Sequence, residues 1–484
     1  MLRIFSASVI LALLLAPVQA EDAEQRRWVG VRVMPKKGCQ LIVDGRAVDD
    51  SRRNNLPYVV AEAKDDLLLV GGRVQGWAKI DDMLRMTDAL DYYTKLIKAE
   101  PESAWAYEQR GVTLVEGQYF TAAIKDFTTA LKIDPSNAQV ASRRGMAWSS
   151  QGNPQKAIED LDEAIRLDPQ YAMAYVNRGL LWDQRGRDEK AVPDYFKAIQ
   201  IDPECAVAYN NRGLIWKRVG KFDQALADFD KAIRANPRFS IAFSNRGLLR
   251  HERRQYDDAI LDYNEAIRVD PENALALQNR AVAWQAIGQS DKAIDDLNEV
   301  IRLAPRKIYA YVVRGTTWTQ KGEYGKAVAD FTKVIGLAPK FPDAFIGRGE
   351  AYFHQGLTGK AIDDFEKALE LDSKSINARK SLAWVLMATA DAKYRDVDRA
   401  VRTANMARSL SKDKDPEALA VLANACAESG DFASAVKWIG KAIEQQQVQT
   451  LRAEWTKRLA LYKEGQPFRD VAPEQSVERP SCTP

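Results

Sequence analysis

Arginine and aspartate recur in this chain sixteen residues apart, once every 34 residues. The pairs are Arg110 with Asp126, Arg144 with Asp160, Arg178 with Asp194, Arg212 with Asp228, Arg246 with Asp262, Arg280 with Asp296, Arg314 with Asp330 and Arg348 with Asp364. Each arginine precedes a glycine (Ala281 in the sixth copy), and each aspartate precedes an aromatic residue or leucine. Both places adjoin apolar stripes, so both side chains are expected to be partly buried, and buried charges need partners. Catalysis fails on multiplicity, because eight copies cannot converge on one reaction centre. The remaining chemistry is an ion pair inside each copy. Where the pattern breaks, both charges are lost together: Leu382 and Leu422 hold the arginine place, Thr403 and Trp438 the aspartate place. Pairing within a copy orphans no charge, whereas pairing with the preceding copy would set Arg110 against Tyr92 and Asp364 against Leu382.

Other reactive groups are sparse. There are two histidines, His251 and His354, so no His/Cys cluster at metal-ligand spacing can be assembled, and no cofactor is expected. No G-x-S-x-G stretch is present. The stretch "GLTGK" (356–360) is two residues short of a phosphate loop and follows no strand, and "GGRVQG" (71–76) is a turn between strands. Seventy basic residues against sixty-seven acidic ones leave a net charge of +3, which gives no reason to expect nucleic acid as a partner. Cys39, Cys205, Cys426 and Cys482 are too scattered for a disulfide framework.

The elements that must position the pairs follow from the period. Pro101, Pro135, Pro169, Pro203, Pro237, Pro271, Pro305 and Pro339 lie 34 residues apart, and between them two helical apolar patterns flank a Gly-centred turn such as Gly220 or Gly322. In the copy beginning at Ala206, Tyr209, Gly213 and Trp216 share one face of the first helix. Ala225, Phe229 and Ala232 share one face of the second. Residues 104–375 hold eight regular copies, 376–449 two altered ones with an inserted "ADAKYRD", and 450–465 a capping helix before a flexible tail (466–484). Residues 86–101 read as a second helix without its first, needing cover from the segment before it. That segment, 27–84, alternates like strands, with Asp44-Gly45 as a hairpin turn.

The aromatic–Gly–aromatic first helices, the Ala–aromatic–Ala second helices and the closing prolines resemble the tetratricopeptide repeat (TPR) family. The "WVG" opening, the "LLLV" strand and the "GW" before "DDML" resemble a bacterial Src-homology-3-like small barrel. Together the resemblances imply a mainly all-α, right-handed superhelical solenoid of helix–turn–helix repeats, preceded by a small all-β barrel. They imply binding of a protein or peptide in a concave groove lined by first helices, without enzymatic activity. A second reading has the barrel contact cell-wall glycan or stem peptide, with the repeats as a spacer.

The face expected to meet a partner is a second stripe on the first helices: Met173, Val176, Leu180 and Asp183; Val207, Asn210, Leu214 and Lys217; Ile241, Ser244, Leu248 and His251. The competing reading is that the stripe only packs neighbouring first helices together. The TPR subfamily that clamps a terminal carboxylate carries Asn directly after the glycine. Val112, Met146, Leu180, Leu214, Leu248, Val282, Thr316 and Glu350 hold that place here, so the clamp is absent. Residues 1–20, with Arg3, an apolar run from Val9 to Ala16 and small residues before Glu21, have the form of a secretory signal peptide. The mature chain is therefore expected to be exported, periplasmic or secreted, with no later stretch able to span a bilayer.

Overall fold

A computed structural model describes residues 31–43, 46–49, 58–64, 66–71 and 75–468. The signal segment and most of the tail lie outside the described residues, as do the hairpin residues Asp44 and Gly45. The chain divides into two compact bodies, Met1–Leu249 and Arg250–Pro484.

The first body opens with seven antiparallel strands: β1 (Arg32–Pro35), β2 (Gln40–Val43), β3 (Arg46–Asp49), β4 (Tyr58–Lys64), β5 (Leu67–Gly71), β6 (Gln75–Lys79) and β7 (Met83–Arg85). Their order is β3-β2-β6-β5-β4-β1-β7. This corrects the barrel expected from the sequence. The sheet is neither closed nor curled, and β3 and β7 stand at opposite edges. The physical reason lies in β1 and β7, which are buried on both faces. Val33 and Met83 join Leu41, Tyr58, Val60, Leu68 and Val70 in the sheet's own core. Their neighbours Met34 and Leu84 instead join Ala89, Tyr93 and Phe127 among the helices. Strands committed to a helical layer in this way are not available to seal a barrel. The glycan-binding reading that rested on a barrel loses its structure with it.

The helix Met86–Ala99 follows β7 directly. Tyr93 donates its hydroxyl to the Pro35 carbonyl at 2.6 Å, and Tyr92, at the aspartate place, accepts from the Lys37 amide at 3.2 Å. The sheet thus stands where the missing first helix would be.

From Ala104 onward the chain is paired helices of 13 and 14 residues, such as Ala206–Arg218 with Phe222–Ala235. Each second helix of the regular repeats stops before an Asp, Asn or Ala that precedes proline or, in the eighth, serine. A residue before proline is biased away from helical backbone. The glycine after the arginine is a matter of clearance: a Cβ on Gly213 would lie 2.8 Å from Cε1 of Phe229. The "GLTGK" stretch forms the turn into helix Thr358–Leu371, with Gly356 at φ +76°.

In the seven repeats that lie within one body, the arginine donates Nε to Oδ2 and Nη2 to Oδ1 of the aspartate sixteen residues on, at 2.6–2.9 Å. The fifth repeat is divided between the bodies. Within the first, Arg246 donates to Asp230 at 2.6 Å; within the second, Asp262 accepts from Arg250 at 2.9 Å. Arg212 and Asp228 are buried, 8% and 4% exposed. In the altered repeats, Leu382 and Leu422 lie in the apolar core of the second body.

The third guanidinium nitrogen makes a contact that sequence reasoning did not find. Nη1 reaches back into the preceding unit, to the residue two beyond its aspartate place (Tyr92 in the half repeat): Thr94 from Arg110, Thr128 from Arg144, Asp162 from Arg178, Asn264 from Arg280, Asn298 from Arg314 and Thr332 from Arg348. Arg246 to Asp230 is the same contact. In the third repeat that place is Phe196, and the Arg212 guanidinium of the fourth lies 5.0 Å from its ring centroid. The available signal was the run of short polar residues at this place.

Removing one member of a buried pair strands the other charge. Asp228→Ala is expected to destabilise the protein by about 3 kcal/mol. Arg212→Leu with Asp228→Thr, which copies the ninth repeat, is expected to recover much of that loss. Denaturant unfolding of the single and double variants checks this, and strictly additive losses would contradict the pairing. A second expectation concerns Tyr263, whose ring fills the place held by Phe229 and Phe331 elsewhere and whose buried hydroxyl has no hydrogen-bond partner among the described residues. Tyr263→Phe should raise stability, by up to about 1 kcal/mol, because it removes an unsatisfied polar group without changing shape. A lowered melting temperature would contradict it.

Candidate functional site

The second stripe of the first helices divides between the two readings weighed for it. In the first body Val176, Asn210 and Ser244 are buried, 1%, 3% and 4% exposed. Val176 belongs to an apolar cluster with Tyr175, Tyr195 and Ile215, and Asn210 accepts from Asn245 of the next first helix at 2.8 Å. These residues pack first helix against first helix. Met173, Leu180, Leu214 and Leu248 are half-buried. Leu214 packs against Ala225, Phe229 and Leu249, so it has a foot in the core. Asp183 is held by Arg218 at 2.6 Å. Lys217 is half-buried in the same helix as Leu214. In the second body, the His251 ring meets Tyr256 edge-on at 5.2 Å, and burial lowers its pKa.

What remains open on the stripe is its first turn. Val207 is 37% and Ile241 55% exposed in the first body. The corresponding places of the second body, Leu275 and Tyr309, are 55% and 48% exposed. The sequence stripe included the first two of these residues and missed the other two, which continue it at the same 34-residue interval.

Each body also holds a pocket between successive first helices. In the first body a pocket of about 190 Å³ is lined by Val112, Val115, Met146, Met173, Arg143 and Tyr171, among others. Arg143 Nε lies 3.5 Å from the carboxylate of Glu108, which is only 7% exposed. Burial raises the Glu108 carboxyl above its usual range, and Arg143 acts in the opposite sense. In the second body a pocket of about 250 Å³ lies among Glu350, Phe353, His354, Ser381, Trp384 and Val421. The two pockets occupy equivalent places: Val112 and Glu350 both stand directly after the glycine of their first helix, and Met146 and Trp384 hold the same place in the next.

These surfaces can hold a ligand but have little means to transform one. Among the described residues, no three His, Cys, Asp or Glu side chains come together in a way that could hold a metal ion. Cys39, Cys205 and Cys426 are buried, and burial pushes the Cys426 thiol up to about 11. No helix among the described residues is long and apolar enough to cross a membrane.

Comparison with known proteins agrees with this picture. Tetratricopeptide repeat models match residues 82–138, 143–206, 206–239, 308–341 and 342–375, and a TPR repeat model matches 247–288, together more than half of the chain. Among curated proteins none matches the chain at a significant level. Of solved structures, YrrB, described as a TPR protein with an unusual peptide-binding site, is 23% identical, over 38% of this chain and 95% of its own, with a TM-score of 0.35. MamA is 29% identical, over 34% of this chain and 95% of its own, with a TM-score of 0.33. PilW, a type IV pilus biogenesis factor, is 18% identical, over 42% of this chain and 94% of its own, with a TM-score of 0.39. The period, the paired helices and the matched repeats establish that the chain belongs to the tetratricopeptide repeat family, a non-catalytic scaffold fold that binds proteins and peptides.

Proposed function

We propose that this protein is an exported scaffold of the cell envelope that binds a protein or peptide along the first turns of its first helices. The observation that carries the reading is the exposed apolar row, Val207 with Ile241 in one body and Leu275 with Tyr309 in the other. Packing does not require these side chains. The helices that carry Val207 and Ile241 bury Asn210 and Ser244 one turn later, and that is sufficient to join neighbours. A chain in water gains nothing from repeating an uncovered apolar group at one place, whereas a complex in which a partner covers it does. Each such side chain contributes roughly 1.5–3 kcal/mol when fully buried, and part of that is lost to ordering the partner. Export is supported by the charge, apolar run and small-residue boundary of residues 1–20.

Ile241→Asp and Leu275→Asp are each expected to weaken partner binding about tenfold or more. Their melting temperatures should stay close to that of the parent, since exposed substitutions change stability by about 0.5 kcal/mol or less. Leu261→Asp, at a side chain 61% exposed on a second helix, should leave binding unchanged. Equal losses from all three variants would reject the face. Export has its own test: a reporter active only outside the cytoplasm, fused behind residues 1–30, should be active and should fall silent with Leu13→Arg. A silent parent fusion would reject the assignment.

A further inference from the structure

The pocket of the second body has a chemistry that its counterparts lack. Directly after the glycine of the first helix, the other regular repeats carry Val112, Met146, Leu180, Leu214, Leu248, Val282 and Thr316, and only the eighth carries an acid, Glu350. Glu350 Oε1 accepts from the Ser381 hydroxyl at 2.9 Å, and its other oxygen has no partner among the described residues. The neighbouring cation is already engaged, for Lys380 Nζ lies 2.8 Å from Glu417 and 3.2 Å from Asp415. Lys380 lines the pocket and acts to lower the Glu350 carboxyl, but it is shared with two further carboxylates, so the group sets three acids against one ammonium. His354 stacks flat on Tyr324, with centroids 4.9 Å apart, and burial lowers its pKa, which favours the uncharged ring. Glu350 is exposed at the pocket mouth, yet the protein around its carboxyl raises it above the usual range, with the Ser381 hydrogen bond and Lys380 acting in the opposite sense. Phe353 and Trp384 add aromatic surface to the same pocket.

We propose that this pocket receives a lysine or arginine side chain of the bound segment, its cationic head on the Glu350 carboxylate and its aliphatic stem against Phe353 and Trp384. The charge complementarity is local: a carboxylate with one oxygen free of hydrogen bonds, beside aromatic rings, favours a cation through both ion pairing and the ring quadrupole. The pocket volume, about 250 Å³, suits one long side chain rather than a folded element. The inference rests on the peptide-binding reading above and adds to it the class of side chain selected.

The test uses the purified full chain on an array of immobilised random dodecapeptides. Retained peptides should be enriched in lysine or arginine. Glu350→Gln, which keeps the shape and the Ser381 contact, should remove the enrichment and weaken the selected peptides about tenfold. Replacing the selected lysine by norleucine should cost the parent protein the same factor and the Glu350→Gln protein almost nothing. Selection of acidic or uncharged peptides would overturn the inference while leaving the peptide-binding reading intact. So would a Glu350→Gln loss as large for norleucine as for lysine. An array that retains nothing removes the peptide-binding reading, and this inference with it.

Discussion

The forked arginine–aspartate pair is the contact on which each repeat depends. A guanidinium has a fixed plane and five donors, so engaging Nε and Nη2 on one carboxylate leaves Nη1 pointing in a set direction. In this protein that direction is the preceding repeat. One side chain therefore closes its own helix pair and indexes it against its neighbour. The substitutions around it follow the same logic. Where the third repeat puts Phe196 at the acceptor place, the Arg212 guanidinium of the fourth turns its face to the ring. Where the ninth repeat has Leu382 in place of arginine, the eighth repeat's acceptor place holds Glu366, which pairs with Arg399 on the ninth repeat's second helix. The bond between repeats persists although the residue making it has moved.

A second device works inside the repeat. Four repeats place a lysine eight residues after a tryptophan, and the ammonium lies 4.3–4.4 Å from the ring centroid: Lys156 on Trp148, Lys190 on Trp182, Lys292 on Trp284 and Lys326 on Trp318. The fifth repeat has Arg250 at the tryptophan place, and the aspartate sixteen residues after the repeat's arginine, Asp262, accepts from it. Both devices join helices through charge without needing bulk. This suits a fold whose helix faces are lined with alanine, and in which a Cβ on the glycine would collide with a ring.

The sequence made the helical array legible because every decisive contact has a fixed separation: sixteen residues for the ion pair, thirty-four for the next repeat. Recurrence turns such separations into a readable pattern, and the altered repeats showed which partners belong together. The sheet was less legible because it occurs once. Period-two alternation located its strands, but Val33 and Met34 are equally apolar, and nothing in their order shows that one faces the sheet core and the other the helices. That two-sided burial keeps the sheet open, and it depends on a helix that follows β7 without a break. The stripe on the first helices was legible in position but not in depth. Spacing places Val176 and Val207 on the same face, whereas only the neighbouring helix decides which is covered.

That difference in depth locates the chemistry a partner can meet. Along one first helix the middle of the face is occupied by the next helix, so recognition is confined to the exposed first turn and to the pockets left where two first helices diverge around the place after the glycine. The fold constrains that place weakly, because it tolerates valine, methionine, leucine, threonine and glutamate within one chain. Repeats that share a skeleton can therefore differ in what they present. Where a ring faces it the glycine cannot vary without closing the gap (Ala281 faces Leu297), and one member of the ion pair cannot vary alone without stranding a charge, but the residue between them and the solvent can. In this protein the freedom is used for aliphatic residues in most repeats and for one carboxylate, and that single departure from the pattern gives a largely apolar face a defined position at which charge could be read.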